Sequence, residues 1–207
     1  MNKVIKPLLI SDLFISTGFG FIEPILAIFI KENMVGGTVL TAGIAGSLFM
    51  IVKSLVQLPL SRYVDRHNHK VQLLIVGTFV VSTIPFLYIM ASHIYVIYLA
   101  QVLYGLGSAL VYPTWPGMWS THLDKHHESF EWSLYATSVG IGAAVAGTLG
   151  AVFAQLFGFV VTFLLVGAFA LCGCFILFAL EKHEPVQKVP VKHYHRRRKA
   201  SHRIKDH

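Results

Sequence analysis

Long apolar runs and short polar breaks alternate along the chain. The apolar runs lie at about 7–30, 38–60, 71–91, 93–115, 132–156 and 158–180. Each reaches the ~20 residues a helix needs to cross roughly 30 Å of hydrocarbon. In lipid every backbone N–H and C=O must be bonded within the protein, so runs of this length are expected as helices. Strands of a membrane barrel would alternate apolar and polar positions, and these runs do not. The pattern predicts an all-α membrane protein, with residues 1–180 forming one bundle of six transmembrane helices. The first run is too long for a signal-peptide core, and no small-residue cleavage pattern follows it.

Composition sharpens this picture. The 207 residues are 55% hydrophobic and 13% charged, against about 25% charged in a soluble domain. Six spans leave almost no chain for a separate soluble domain. Charge then orients the bundle. With the N-terminus inside, fifteen of the seventeen lysines and arginines fall on the cytoplasmic side, Lys31 lies opposite, and Lys53 lies within a run. The positive-inside rule places both termini in the cytoplasm, as expected for a multi-pass protein of the cell membrane.

Residues 181–207 form a second region, a basic, His-rich tail with nine basic and three acidic residues. It is too polar to bury a core and is expected to be disordered. Its basic run suits anionic lipid head groups. The tail histidines lack the fixed geometry and supporting shell of a metal site, so no metal is expected. No other cofactor is implied, and without an aromatic platform no nucleic-acid partner is. Cys172 and Cys174 lie about 200° apart on a helix and read as small packing residues.

The most polar stretch of the first 120 residues is SRYVDRHNHK, residues 61–70. Extended to Leu73, it resembles the major facilitator superfamily signature G-x-L-a-D-R-x-G-R-K-x-x-L, which joins helices two and three in that family. Asp65, Arg66, Lys70 and Leu73 match it. Ser61, Asn68 and His69 replace its two glycines and an arginine. Gln101–Gly107, QVLYGLG, resembles the family's R-x-x-q-G-x-G, with Gly105 and Gly107 in place and Gln101 where the Arg is expected. Gly142–Ala151, GAAVAGTLGA, resembles G-x-x-x-G-P-x-x-G-G, with Ala146, Gly147 and Ala151 standing for Gly, Pro and Gly. The small residues Gly105, Gly107, Gly142, Gly147 and Gly150 would let neighbouring helices approach closely.

The resemblance implies one bundle of the major facilitator type, with a three-plus-three inverted repeat. It implies that Asp65, Arg66 and Lys70 form a cytoplasmic gating loop that clasps neighbouring helix ends. The three patterns match the first half of such a transporter. Members usually enclose their cavity between two six-helix bundles, so a homodimer or a second half-transporter is expected.

Within the spans lie three ionisable residues, Asp12, Glu23 and Lys53. Charges at depth mark pathways or paired sites. Asp12 and Glu23 are eleven residues apart, about 1,100° of helix, so they share one face. Ser16 and Gly20 lie between them on that face, and Pro24 frees the Gly20 carbonyl. This stripe should face a water-filled cavity. Asp12 and Lys53 both lie about 10 Å from the cytoplasmic end and are expected to pair. The resemblance puts the fourth helix opposite the first, where it offers Gln101 and Tyr104. Tyr112, Trp115, Trp119 and Trp132 read as an interfacial aromatic belt. His122 and His126, near Asp124, Glu128 and Glu131, read as a solvated connector.

The sequence has no G-x-S-x-G, H-E-x-x-H, P-loop or dinucleotide fingerprint, so no enzyme and no on-chain ATP motor is expected. The reading is a secondary transporter of a small solute working by alternating access. Its carboxylates make a proton the first coupling ion, and its few charges and many aromatics lean toward a neutral or amphipathic solute. The alternative is a non-transporting membrane partner or scaffold, or an incomplete half-transporter.

Overall fold

A computed structural model describes residues 5–66, 69–122 and 127–181. The helices are α1 (Ile5–Asn33), α2 (Val39–Arg66), α3 (Lys70–Met90), α4 (Ile94–His122) and α5 (Glu128–Glu181). All five are long and apolar enough to cross a membrane. The basic tail after residue 181 lies outside the described residues, as do Asn68, Asp124 and His126.

The last two apolar runs fall within α5, which has 54 residues. A straight helix of that length would reach ~80 Å, far beyond a hydrocarbon core of roughly 30 Å. Gly158 interrupts it with φ 82° and ψ 166°, a backbone conformation that only glycine adopts without strain. Contacts with α1 reveal the consequence. Before Gly158 the order runs with α1: Asp12 meets Tyr135 and Phe21 meets Phe153. After it the order reverses: Phe29 meets Phe159 and Phe163, Phe14 meets Phe169, and Ser11 meets Gly173. The chain doubles back at Gly158, and both arms of α5 pack on α1.

At one end of the bundle the short loops hold each other. The Val35 N–H donates to the Ser92 carbonyl (3.0 Å), and the Ile94 N–H donates to the Val35 carbonyl (3.1 Å). Thr38 and Thr41 cap α2 reciprocally: the Thr38 N–H donates to Thr41 Oγ1 (2.8 Å) and the Thr41 N–H to Thr38 Oγ1 (3.1 Å). Two N–H groups that the helix leaves unpaired are thereby satisfied.

Missing side chains set the closest crossings. A Cβ on Gly77 would lie 2.8 Å from the Gly107 carbonyl oxygen, so α3 and α4 touch backbone to backbone. Gly105 admits Val52 and Phe49 of α2, and Gly150 lies on the backbone of Phe21. Gly142 and Gly147 are different: a Cβ there would meet its nearest atoms at 3.4 and 3.8 Å, ordinary contact.

Two apolar cores result. One joins Phe29, Ile84, Tyr88, Ile97 and Phe163. The other, at the opposite end, joins Leu8, Leu74, Trp115, Met118, Trp119 and Leu177. The aromatic belt is corrected here. Trp119 and Trp115 are only 2% and 6% exposed, and they stack at 5.0 Å inside the protein. Rings of this size bury more apolar area against Leu8 and Leu177 than an interfacial position would allow. Tyr112 and Trp132 do stay exposed. α2 lies at the periphery, packed chiefly on α4, with Leu40, Met50, Ile51, Leu55 and Leu58 exposed.

Candidate functional site

A cavity of about 350 Å³ opens among α1, α3, α4 and α5. α1 supplies Asp12, Ser16, Phe19, Gly20 and Glu23 to its wall, which is the one-faced stripe expected from helical periodicity. The two acids have different surroundings. Asp12 is half-buried, and its Oδ2 accepts hydrogen bonds from the Tyr135 hydroxyl (3.0 Å) and from Ser16 Oγ (3.3 Å). Glu23 is exposed toward the cavity, and among the described residues no hydrogen bond or ion pair engages it.

The expected Asp12–Lys53 pair is not formed among the described residues. Lys53 instead places its Nζ over the Tyr112 ring, 3.2 Å from the centroid, with Phe49 at 5.6 Å. The packing explains this: α2 lies on α4 and meets α1 only sparsely, so its lysine is delivered to an α4 aromatic face. Tyr112 is exposed, and a contact of this kind at an exposed ring is worth about 0.5–1 kcal/mol. Lys53 does not line the cavity, and among the described residues no lysine or arginine does.

Tyr104 lines the cavity. Its ring is sandwiched between Phe19 of α1 (4.9 Å) and Phe49 of α2 (4.3 Å). Gln101 turns the other way. It is buried outside the cavity wall, and its Nε2 donates to the Tyr88 hydroxyl at 3.2 Å, tying α4 to α3. Sequence reasoning missed Tyr135, Thr78 and Ser108 as wall residues, and it assigned Tyr112 and Trp115 elsewhere. For Tyr135 no local signal exists, since its bond to Asp12 spans 123 residues. Thr78 and Ser108 could have been noticed as polar positions inside apolar runs.

Asp65 and Arg66 end α2, and Lys70 begins α3. The first two are exposed and Lys70 is half-buried. Among the described residues none of the three makes a hydrogen bond or ion pair. No cluster of three or more metal-ligating side chains occurs among the described residues.

Comparison with known proteins places this architecture. The Major Facilitator Superfamily profile matches residues 8–205. The multi-drug resistance efflux pump PmrA homolog of Lactococcus lactis subsp. lactis (strain IL1403) is 28% identical over 182 residues, covering 84% of this chain and 44% of that protein. The POT family transporter PepTSo, crystallised in meso, superposes with a TM-score of 0.77 at 15% identity, over 92% of this chain and 40% of its own. The likeness to PepTSo is one of fold. This chain spans less than half the length of either relative.

Proposed function

This chain belongs to the Major Facilitator Superfamily, and we propose that it forms one six-helix half of a secondary transporter for amphipathic organic cations. It is a multi-pass membrane protein of a transporter family, not an enzyme. In this reading α1 to α4 and the two arms of α5 make six crossings. The reversal at Gly158 supports that count. The lysine and arginine bias supports cytoplasmic termini at the cell membrane.

One observation carries the substrate class: two carboxylates share a cavity with Phe19, Tyr104, Tyr112, Trp115 and Tyr135, and among the described residues no basic side chain lines it. Aromatic faces and carboxylates together hold a desolvated cation. The name of the Lactococcus lactis relative, a multi-drug efflux pump, fits a solute of this kind. Asp12 and Glu23 then exchange protons for the cation, which couples export to a proton gradient. Alternating access exposes them to either side in turn, with Asp65, Arg66 and Lys70 as the cytoplasmic latch. Lys53 and Gln101 serve packing, through Tyr112 and Tyr88.

A second six-helix bundle, from a second copy of this chain or another half-transporter, closes the cavity. Exposed small residues support its seat on α2 and the first arm of α5. A Cβ on Gly43, Gly46 or Gly140 would meet nothing within 4 Å, although small residues in membrane helices commonly serve close helix contact.

The test is efflux of tetraphenylphosphonium from proteoliposomes. A proton gradient should drive it, and both Asp12→Asn and Glu23→Gln should abolish the coupled flux. Gradient-independent leakage, identical in the variants, refutes the proposal.

A further inference from the structure

The α3–α4 wall of the cavity differs chemically from the α1 wall. Among the described residues it carries no carboxylate, and beside the phenols of Tyr104 and Tyr112 it carries two aliphatic hydroxyls. Thr78 on α3 is 1% exposed, and its Oγ1 has no hydrogen-bond partner among the described residues. Threonines and serines in helices have a ready acceptor in the carbonyl four residues back. Ser82 and Thr114 use it, donating to the Thr78 and Leu110 carbonyls at 2.8 and 2.7 Å. Thr78 does not. A buried hydroxyl left unmatched costs stability, and in native proteins such a group is commonly met by water or a ligand.

The surroundings of Thr78 indicate which. Thr78 lines the cavity, and so does Ser108 of α4. Ser108 is 4% exposed, and among the described residues no hydrogen bond engages its hydroxyl. α3 and α4 touch at Gly77 and Gly107, the residues immediately before Thr78 and Ser108. The crossing therefore brings both hydroxyls to one level of the wall, flanked by apolar Leu74, Val81 and Val111. Each hydroxyl can donate and accept, and neither carries charge.

We propose that Thr78 and Ser108 form a neutral subsite that binds a hydroxyl or carbonyl of the transported solute, while the α1 carboxylates hold its charge. This rests on the cation reading of the cavity. The subsite selects among cations of similar size: those with a hydrogen-bonding group opposite their charge are preferred.

A matched pair of probes tests it, namely tetraphenylphosphonium and (4-hydroxyphenyl)triphenylphosphonium, which differ by one hydroxyl. Binding is measured to the full chain in lipid nanodiscs. The hydroxylated probe should bind about 2–10-fold tighter, the range of one net hydrogen bond. Thr78→Val, close to isosteric, should bring the ratio to about one, and Ser108→Ala should reduce it. Equal affinities in the wild type, or a preference that survives both substitutions, overturn the subsite and leave the cation reading standing. Failure of both probes to bind the wild type overturns the cation reading and the subsite together. The thermal midpoint of the ligand-free protein separates solute from water. An unchanged or raised midpoint in Thr78→Val supports a hydroxyl reserved for solute. A lowered midpoint in both variants marks a resident water as its partner and overturns the inference.

Discussion

Asp12 and Glu23 sit on the same face of the same helix, three turns apart, yet their surroundings differ. Asp12 is tied by Tyr135 and Ser16 beside the buried Trp115–Trp119 stack. Glu23 stands exposed in the cavity, followed by Pro24. A carboxylate held by two hydroxyls from two helices contributes to the fold as well as to the site. One with no hydrogen-bond or ion-pair partner among the described residues adds nothing to the fold in that way. Helical periodicity equates the two residues, and packing separates them.

The largest effect is expected at Asp12. Asp12→Ala should abolish coupled flux and also leave the Tyr135 hydroxyl without its acceptor, lowering stability by about 1–3 kcal/mol. Thermal unfolding and efflux assays on one preparation read both effects. At Glu23 the two should part: Glu23→Gln loses flux while its unfolding midpoint stays at the wild-type value. A drop in that midpoint would show that Glu23 also has a structural partner.

A smaller effect is expected from the other side of the Asp12 bond. Tyr135→Phe removes one donor and keeps the ring against Trp115, so it should cost about 1 kcal/mol and reduce flux only in part. Complete loss of flux would make Tyr135 a direct participant. The smallest effect is expected at Lys53. Lys53→Met should cost about 0.5–1 kcal/mol through the lost Tyr112 contact. Its effect should add to that of Asp12→Asn within about 0.5 kcal/mol, as for sites that share no partner. Coupling above about 1 kcal/mol in that double-mutant cycle would restore the direct pair. The native mass in nanodiscs, read against the 23.0 kDa chain, bears on both acids. A dimer would support the proposed second wall of the cavity, and a monomer would point to a separate partner subunit or to a chain that does not transport by itself.

Much of the fold was legible in the residues. The break read between 156 and 158 falls at Gly158, and the α1 stripe lines the cavity as its spacing predicts. Gly105 and Gly107, picked out by a motif, sit at crossings too tight for a side chain, while Gly142 and Gly147 of a second motif do not. The site was legible only along single helices. Lys53 and Asp12 share a depth, but depth does not tell which helices touch. Gln101 and Tyr104 share a helix, yet one turns to Tyr88 and the other to the cavity.

The sequence by itself determined what is local and periodic: apolar runs long enough for lipid, the one-faced acids of α1, the basic loops and the break near residue 157. These follow from bilayer thickness, helix pitch and backbone sterics, which act over a few turns. Only the tertiary structure decided which side chain answers which. It gave Asp12 to Tyr135 across 123 residues, put Lys53 on Tyr112, and buried two tryptophans that sequence places at the membrane surface. Those outcomes depend on the choice of neighbouring helices, and apolar runs of similar length and hydropathy do not encode that choice one at a time.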